Sequence, residues 1–188
     1  MQALKVHDTE TDENLHIAAA CDGDPAALKW LVERWTPPLY RFSLRMLRNE
    51  QDAMDAAQDS LSKILKNLHR FDQTRAFSTW AYRITRNTCI DQYRRNKRMA
   101  WDEVPDVSDG SPLPDQVTSA AQRAELLGLA LDRLPPLYRE VLVLYHFDHL
   151  KYCEIAETLD VPMGTVMNRI FRARRKLRDL YVDAGGEA

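Results

Sequence analysis

Apolar residues along this chain recur at helical spacing and almost nowhere in strict alternation, so strand signals are nearly absent. In the stretch 50–69, Ala57, Leu61, Ile64, Leu65 and Leu68 step by 4, 3, 1 and 3, which is one face of a helix opened by Asn49-Glu-Gln-Asp52. A short helix is predicted over 14–21. Asp22-Gly-Asp-Pro25 then forms a turn that starts the next helix, with Asp24 as its cap and Pro25 in its first turn. That helix is predicted to stop near Trp35, because Thr36-Pro-Pro38 is a breaker, and another helix carries 39–47. Residues 71–77 form a loop before a helix over 78–98. Further helices are predicted over 120–134 and, after the Pro135-Pro136 break, 137–147, followed by a final helical pair. No internal repeat and no low-complexity tract interrupts this order.

The final pair carries the most chemistry. Ile155, Ala156 and Leu159 give its first helix an apolar side, and Asp160 stands where such turns take a left-handed residue. In the second helix Val166, Ile170, Ala173 and Leu177 fall at i, i+4, i+7 and i+11 and pack inward. Met167, Asn168, Phe171, Arg172 and Arg175 are left facing outward. A helix, a tight turn and a basic second helix are how a chain presents side chains to the DNA major groove. Arg pairs with guanine and Asn with adenine through two hydrogen bonds each, whereas Arg174, Lys176 and Arg178 read as phosphate contacts. The plainer reading of this segment is an amphipathic helix with a solvated basic face.

At 188 residues the chain holds one ordinary domain or two small ones. Its net charge of −2 does not mark a nucleic-acid binder, but the distribution of charge does. Between Arg75 and Arg98 seven basic residues stand against one acid, Asp91; between Leu150 and Arg178 seven stand against three. Residues 101–119 hold five acids, three prolines and neither Lys nor Arg, the composition of a flexible acidic linker. The expected architecture is therefore all-α: two small helical domains over 25–100 and 120–182, a linker over 101–119, an N-terminal segment 1–24 and a tail 183–188. Asp8, Glu10, Asp12 and Glu13 replace the basic start and apolar run of a signal peptide, and no 18-residue apolar stretch exists. Cys21, Cys89 and Cys153 are far apart and odd in number, which suits free thiols in a reducing cytoplasm.

Five motifs then occur in order: Asp52-Ala-Met-Asp-Ala-Ala-Gln-Asp59; Phe71-Asp-Gln-Thr-Arg-Ala-Phe-Ser-Thr-Trp-Ala-Tyr-Arg-Ile-Thr-Arg-Asn-Thr88; Tyr138-Arg-Glu-Val-Leu142; Glu154-Ile-Ala156; and Gly164-Thr-Val166 with Arg169-Ile-Phe-Arg-Ala-Arg174. Over residues 26–180 the chain resembles the extracytoplasmic-function (ECF, group 4) sigma factors of bacterial RNA polymerase. The resemblance implies two domains, sigma regions 2 and 4, and a role in directing core polymerase to promoters. It implies that Asp52, Asp55, Gln58 and Asp59 dock on the clamp coiled coil of the largest polymerase subunit. It implies that Phe71, Gln73, Thr74, Arg75, Phe77, Trp80, Arg83, Arg86 and Asn87 take the melted −10 strand, a task suited to aromatic stacking and positive charge. Trp80 and Ile84, four apart, read equally well as core. The second domain is implied to bind the polymerase flap, and to read −35 duplex through Thr165, Met167, Asn168, Phe171, Arg172, Arg175 and Lys176. Met167 stands where the family commonly has a basic residue and Asn168 where it has serine, so the −35 sequence does not carry over; Met54 stands where an acid is frequent. An anti-sigma factor, often membrane-bound, is a further implied partner. No cofactor and no metal are implied.

Two other classes compete. A conventional helix-turn-helix regulator binding DNA without polymerase accounts for 151–178 but leaves 52–87 without a purpose. A metal-sensing switch on His146, His149 and Cys153 has only three local ligands and neither a CxxC nor an HExxH pattern. An enzyme is the least supported class, since no Walker loop, Gly-rich fingerprint or nucleophile motif is present.

Overall fold

The computed structural model of the chain describes the backbone of residues 3–97 and 120–186 and the side chains of 12–95 and 120–186. The predicted linker 101–119 and the basic residue Arg98 lie outside the described residues. Every element described is a helix, and the chain divides into two compact units, Met1–Gln92 and Tyr93–Ala188.

The first unit holds α1 (Ala3–Cys21), α2 (Pro25–Leu47), α3 (Glu50–Asn67) with a 3-10 turn Leu68–Arg70, and α4 (Phe77–Lys97) as far as Gln92. α1 begins at Ala3, well before the predicted start at residue 14. The acid-rich stretch lacks apolar periodicity, but it holds no Gly or Pro to stop a helix growing back from the packed Ile17 and Ala20. Asp24 caps α2 as expected, its carboxylate accepting from the Ala27 N–H at 2.8 Å. Gly23, at φ 88°, makes the left-handed turn into that cap.

α2 runs unbroken through Thr36-Pro-Pro38, where the sequence predicts two separate helices. Leu31, Trp35, Leu39, Phe42 and Met46 are all buried and step by 4, 4, 3 and 4, so one face must continue across the prolines. Each such burial is worth roughly 2 kcal/mol. Five of them outweigh two proline penalties of about 3 kcal/mol each. The carbonyls that lose their donors belong to Glu33 and Arg34, both on the exposed side where water can serve them. The Thr36 hydroxyl adds a bond to the Val32 carbonyl at 2.6 Å.

α3 meets α2 through a seam of small residues: Ala53, Ala56, Ala57 and Ser60, then Ile64. Small side chains permit close helix approach. The predicted face is thus rotated: Ala57, Ile64 and Leu68 are buried, while Leu61 and Leu65 are only half-buried. α4 is tied to its neighbours by side chains. Tyr82 packs against Trp35 and Phe42, with ring centroids 5.9 and 5.5 Å apart, and the Cys89 thiol donates to the Ser43 hydroxyl at 3.5 Å.

The second unit contains α5 (Ala120–Arg133), α6 (Pro136–His146), α7 (Tyr152–Leu159) and α8 (Met163–Asp183). α8 packs on each of the other three. Arg139 is buried because its guanidinium donates to the carbonyls of Leu131, Asp132 and Leu134, the open end of α5. Glu140, wholly buried, lies 3.5 Å from the guanidinium of Arg169. After α8 the left-handed Gly185 lets the Gly186 N–H reach the Tyr181 carbonyl at 2.9 Å, so the predicted tail begins as a helix cap.

Candidate nucleic-acid interfaces

Three surfaces collect the residues singled out by sequence. The first is the start of α3. Asn49 caps it by accepting from the Asp52 N–H at 2.9 Å, and Glu50 and Asp52 stand in its first turn, where the helix dipole favours carboxylates. Asp55, Gln58 and Asp59 are exposed, with the Gln51 amide donating to Asp55 at 3.3 Å. Asp52 is half-buried, and its carboxylate accepts from the Gln92 amide of α4 at 3.1 Å. Asp52 therefore ties two helices together as well as adding charge. Met54 is exposed beside these acids.

The second surface is the 71–76 loop with α4. Phe71 and Phe77 are only 9% and 4% exposed, so their rings form core rather than an open stacking platform. They meet edge to face at 5.2 Å, and Phe77 also meets Trp35 at 5.0 Å and Trp80 at 5.6 Å. The loop between them is held by Asp72, which accepts from the Thr74 N–H at 3.0 Å and the Thr74 hydroxyl at 2.7 Å, and pairs with Arg75 at 3.4 Å. The Thr74 bonds, with a smaller contribution from Arg75, hold the Asp72 carboxyl below the usual carboxylate range. Gln73, Thr74 and Arg75 project from this ordered turn and are exposed. Burial, with a contribution from Asp22, raises the Cys21 thiol beneath the loop, and a hydrogen bond from Gln73 opposes the shift.

Trp80 is half-buried and lines a groove of about 380 Å³ with Lys63, Asn67, Arg70, Ile84, Asn87 and Thr88. Sequence reasoning picked out Trp80 and Asn87 but not Lys63, Asn67 or Arg70. Their signal was available: a polar, basic flank at helical spacing on the helix before the loop. The Lys63 ammonium donates to the Thr88 hydroxyl at 3.0 Å, and that hydroxyl donates in turn to the Ile84 carbonyl. Arg83 is exposed and Arg86 half-buried on the same helix.

The third surface is α8. The turn before it places Asp160 in the left-handed region at φ 56°, as the sequence predicts, with the Val161 N–H on the Ala156 carbonyl at 3.0 Å. Glu154 closes the start of α7 by accepting from the Lys151 N–H at 2.6 Å. Val166, Ile170 and Ala173 are buried, and Leu177 is half-buried. Met167, Asn168, Phe171, Arg172 and Arg175 are exposed together; Thr165 and Lys176 are half-buried at the flank. Thr165, Asn168 and Arg172 share a concavity of about 430 Å³ with Gly164, Arg169, Leu137 and Tyr138. Two arginines counted in the basic patch are partly engaged elsewhere. Arg169 reaches inward to Glu140, and Arg174 lies 5.3 Å over the Tyr145 ring with a 3.4 Å contact to His146. Burial foremost, then Arg174 and His149, lower the His146 pKa. Among the described residues no cluster of His, Cys, Asp or Glu is placed to hold a metal ion, so His146, His149 and Cys153 do not come together as a site.

Two family models match the chain: Sigma-70 region 2 over residues 31–99 and Sigma-70, region 4 over residues 124–177. The ECF RNA polymerase sigma factor SigW of Bacillus subtilis is 35% identical over 168 residues, covering 83% of this chain and 89% of that protein. The ECF RNA polymerase sigma factor SigE of Mycolicibacterium smegmatis is 35% identical over 172 residues, covering 88% of this chain, which spans 66% of SigE's length. Among solved structures, CnrH in complex with the cytosolic domain of CnrY is similar with a TM-score of 0.70 at 28% identity, over 93% of this chain and 99% of that one. The sigma factor RpoE in complex with the anti-sigma factor NepR, from Bartonella quintana, is similar with a TM-score of 0.64 at 25% identity, over 81% and 94%.

Proposed function

The chain belongs to the ECF sigma factors of the sigma-70 family, and from that membership we propose that it binds core RNA polymerase and selects promoters for initiation. The observation that carries this reading is the coexistence of three surfaces that no single duplex reader needs. These are an acid-edged helix start on α3, an ordered polar loop beside a basic aromatic groove, and a helix-turn-helix with an outward basic face. Asp55, Gln58 and Asp59, with Asp52 behind them, meet the clamp coiled coil. Gln73, Thr74 and Arg75 receive an unstacked −10 base, while Trp80, Arg83, Arg86 and Asn87 follow the strand with help from Lys63 and Arg70. Phe71 and Phe77 act from beneath, by holding the loop. Thr165, Met167, Asn168, Phe171, Arg172, Arg175 and Lys176 face the −35 duplex. The polymerase performs the chemistry and this chain confers promoter choice, so its place of action is the cytoplasm. No described helix is long and apolar enough to cross a membrane. By analogy with the NepR complex, an anti-sigma partner is part of the proposal.

Run-off transcription on a genomic fragment library, with core polymerase and with or without the protein, tests this. New starts that share two upstream elements at a fixed spacing are the expected result. Specific duplex binding by the protein alone, with no new starts, would instead make it a conventional regulator. Arg172→Ala is expected to weaken −35 use and spare core binding. Asp55→Ala with Asp59→Ala is expected to do the reverse; those two acids are chosen because Asp52 also holds Gln92.

A further inference from the structure

The outward face of α8 is not uniformly polar. Met163, Met167 and Phe171 stand at i, i+4 and i+8 and are 53%, 51% and 69% exposed, an apolar stripe along one flank of the helix. Phe171 is the most exposed of the large hydrophobic side chains described. Such a stripe is costly in water unless something covers it. Its surroundings select the occupant. Between Met163 and Arg178 there is no acid and there are six basic residues, of which Arg172, Arg174, Arg175 and Arg178 are exposed. An apolar strip on a helix segment whose only charged residues are basic fits a polyanion that carries apolar groups of its own. Duplex DNA is such a partner, and in its major groove the apolar group is the C5-methyl of thymine. Neither a thioether nor a phenyl ring can donate to a base edge.

We propose that Met163, Met167 and Phe171 read thymine methyl groups in the −35 element, so that this protein selects that element partly by methyl contact where a basic side chain would select by hydrogen bonding. The inference rests on the sigma-factor reading above and deepens it by naming what the −35 surface recognises. Eight residues of helix span about 12 Å, which corresponds to between three and four base steps of about 3.4 Å. The thymines, on either strand, therefore fall within a window of about four base pairs. Asn168 and Arg172, on the neighbouring flank, remain free to bond adjacent adenine and guanine edges.

The test uses the full chain with core polymerase on a promoter recovered by the run-off experiment. Each −35 thymine is replaced by deoxyuridine, which removes the methyl and nothing else. Initiation and binding of the −35 duplex are expected to weaken about fourfold per contacted methyl, the effect of exposing one buried methyl to water. Met167→Ala is expected to lower binding to the thymine duplex and to abolish the thymine–deoxyuridine difference at one position. Because deoxyuridine alters only the DNA, that arm holds even if a variant folds poorly. Equal use of thymine and deoxyuridine promoters overturns the methyl reading, as does a selected −35 element without thymine. If Arg172→Ala still weakens −35 use in that case, the sigma-factor reading stands alone. A complete lack of polymerase-dependent starts on natural DNA would bring down both.

Discussion

At the scale of single residues, burial decides which chemical groups are available. Cys89 is fully buried against Ser43, and burial pushes its thiol up to about 12, so at neutral pH it is a protonated core atom with no route to solvent. Cys153 is exposed and Cys21 is half-buried with a raised pKa. Alkylation of the native protein at pH 7.5, followed by peptide mass spectrometry, should modify Cys153 rapidly, Cys21 slowly and Cys89 only after unfolding. Rapid labelling of Cys89 would mean that the α2–α4 packing opens far more readily than its contacts imply. The same distinction governs the aromatic motif. Phe71 and Phe77 belong to the same sequence pattern as Trp80, yet they are buried while Trp80 borders an open groove. Residue type makes all three suitable for stacking on a base, whereas neighbours 5–6 Å away determine which rings have a free face.

At the scale of elements, a local rule and a packing requirement conflict in α2. The prolines lower helix propensity at 37 and 38, and the continuous buried face from Leu31 to Met46 overrides them. Pro38 is itself buried, whereas Pro37 is exposed. Pro37→Ala should therefore restore a donor to the Glu33 carbonyl and stabilise the protein by about 1–3 kcal/mol. A thermal or urea melt would show this; a fall in stability would mean that the proline geometry is itself required for the path of α2. α3 shows the opposite relation between composition and packing. Its large apolar residues suggest one face, and its alanines and Ser60 form the seam. Periodicity weighted by side-chain size identifies a helix reliably and places its inner face less well, because a tight contact selects for smallness. The start of α8, in contrast, was legible throughout: the turn residue Asp160 and the inward set Val166, Ile170 and Ala173 lie where their spacing puts them.

At the scale of the whole molecule, each unit has its own core and its own polar fastening. In the second unit that fastening is Glu140 with Arg169, alongside the Arg139 bonds to the end of α5. Glu140→Gln removes a buried charge partner and leaves Arg169 uncompensated, which should cost the α5–α8 unit about 3 kcal/mol. Hydrogen exchange should localise the loss to residues 120–186 and leave α2 and α3 protected as before. A uniform loss across both units would show that they unfold as one. The sequence by itself determined the helical class, the Asp24 cap and the Asp160 turn, the order of two helical units and the family, because these depend on local periodicity, on turn chemistry and on motifs that each lie within a short stretch of chain. Only the tertiary structure decided that α2 continues through its prolines, that Phe71 and Phe77 lie inside, that Arg169 turns toward Glu140, and that Lys63, Asn67 and Arg70 border the same groove as Trp80. Each of these depends on contact between residues distant in sequence, and burial energy summed over such contacts exceeds the local preferences that a linear reading can see.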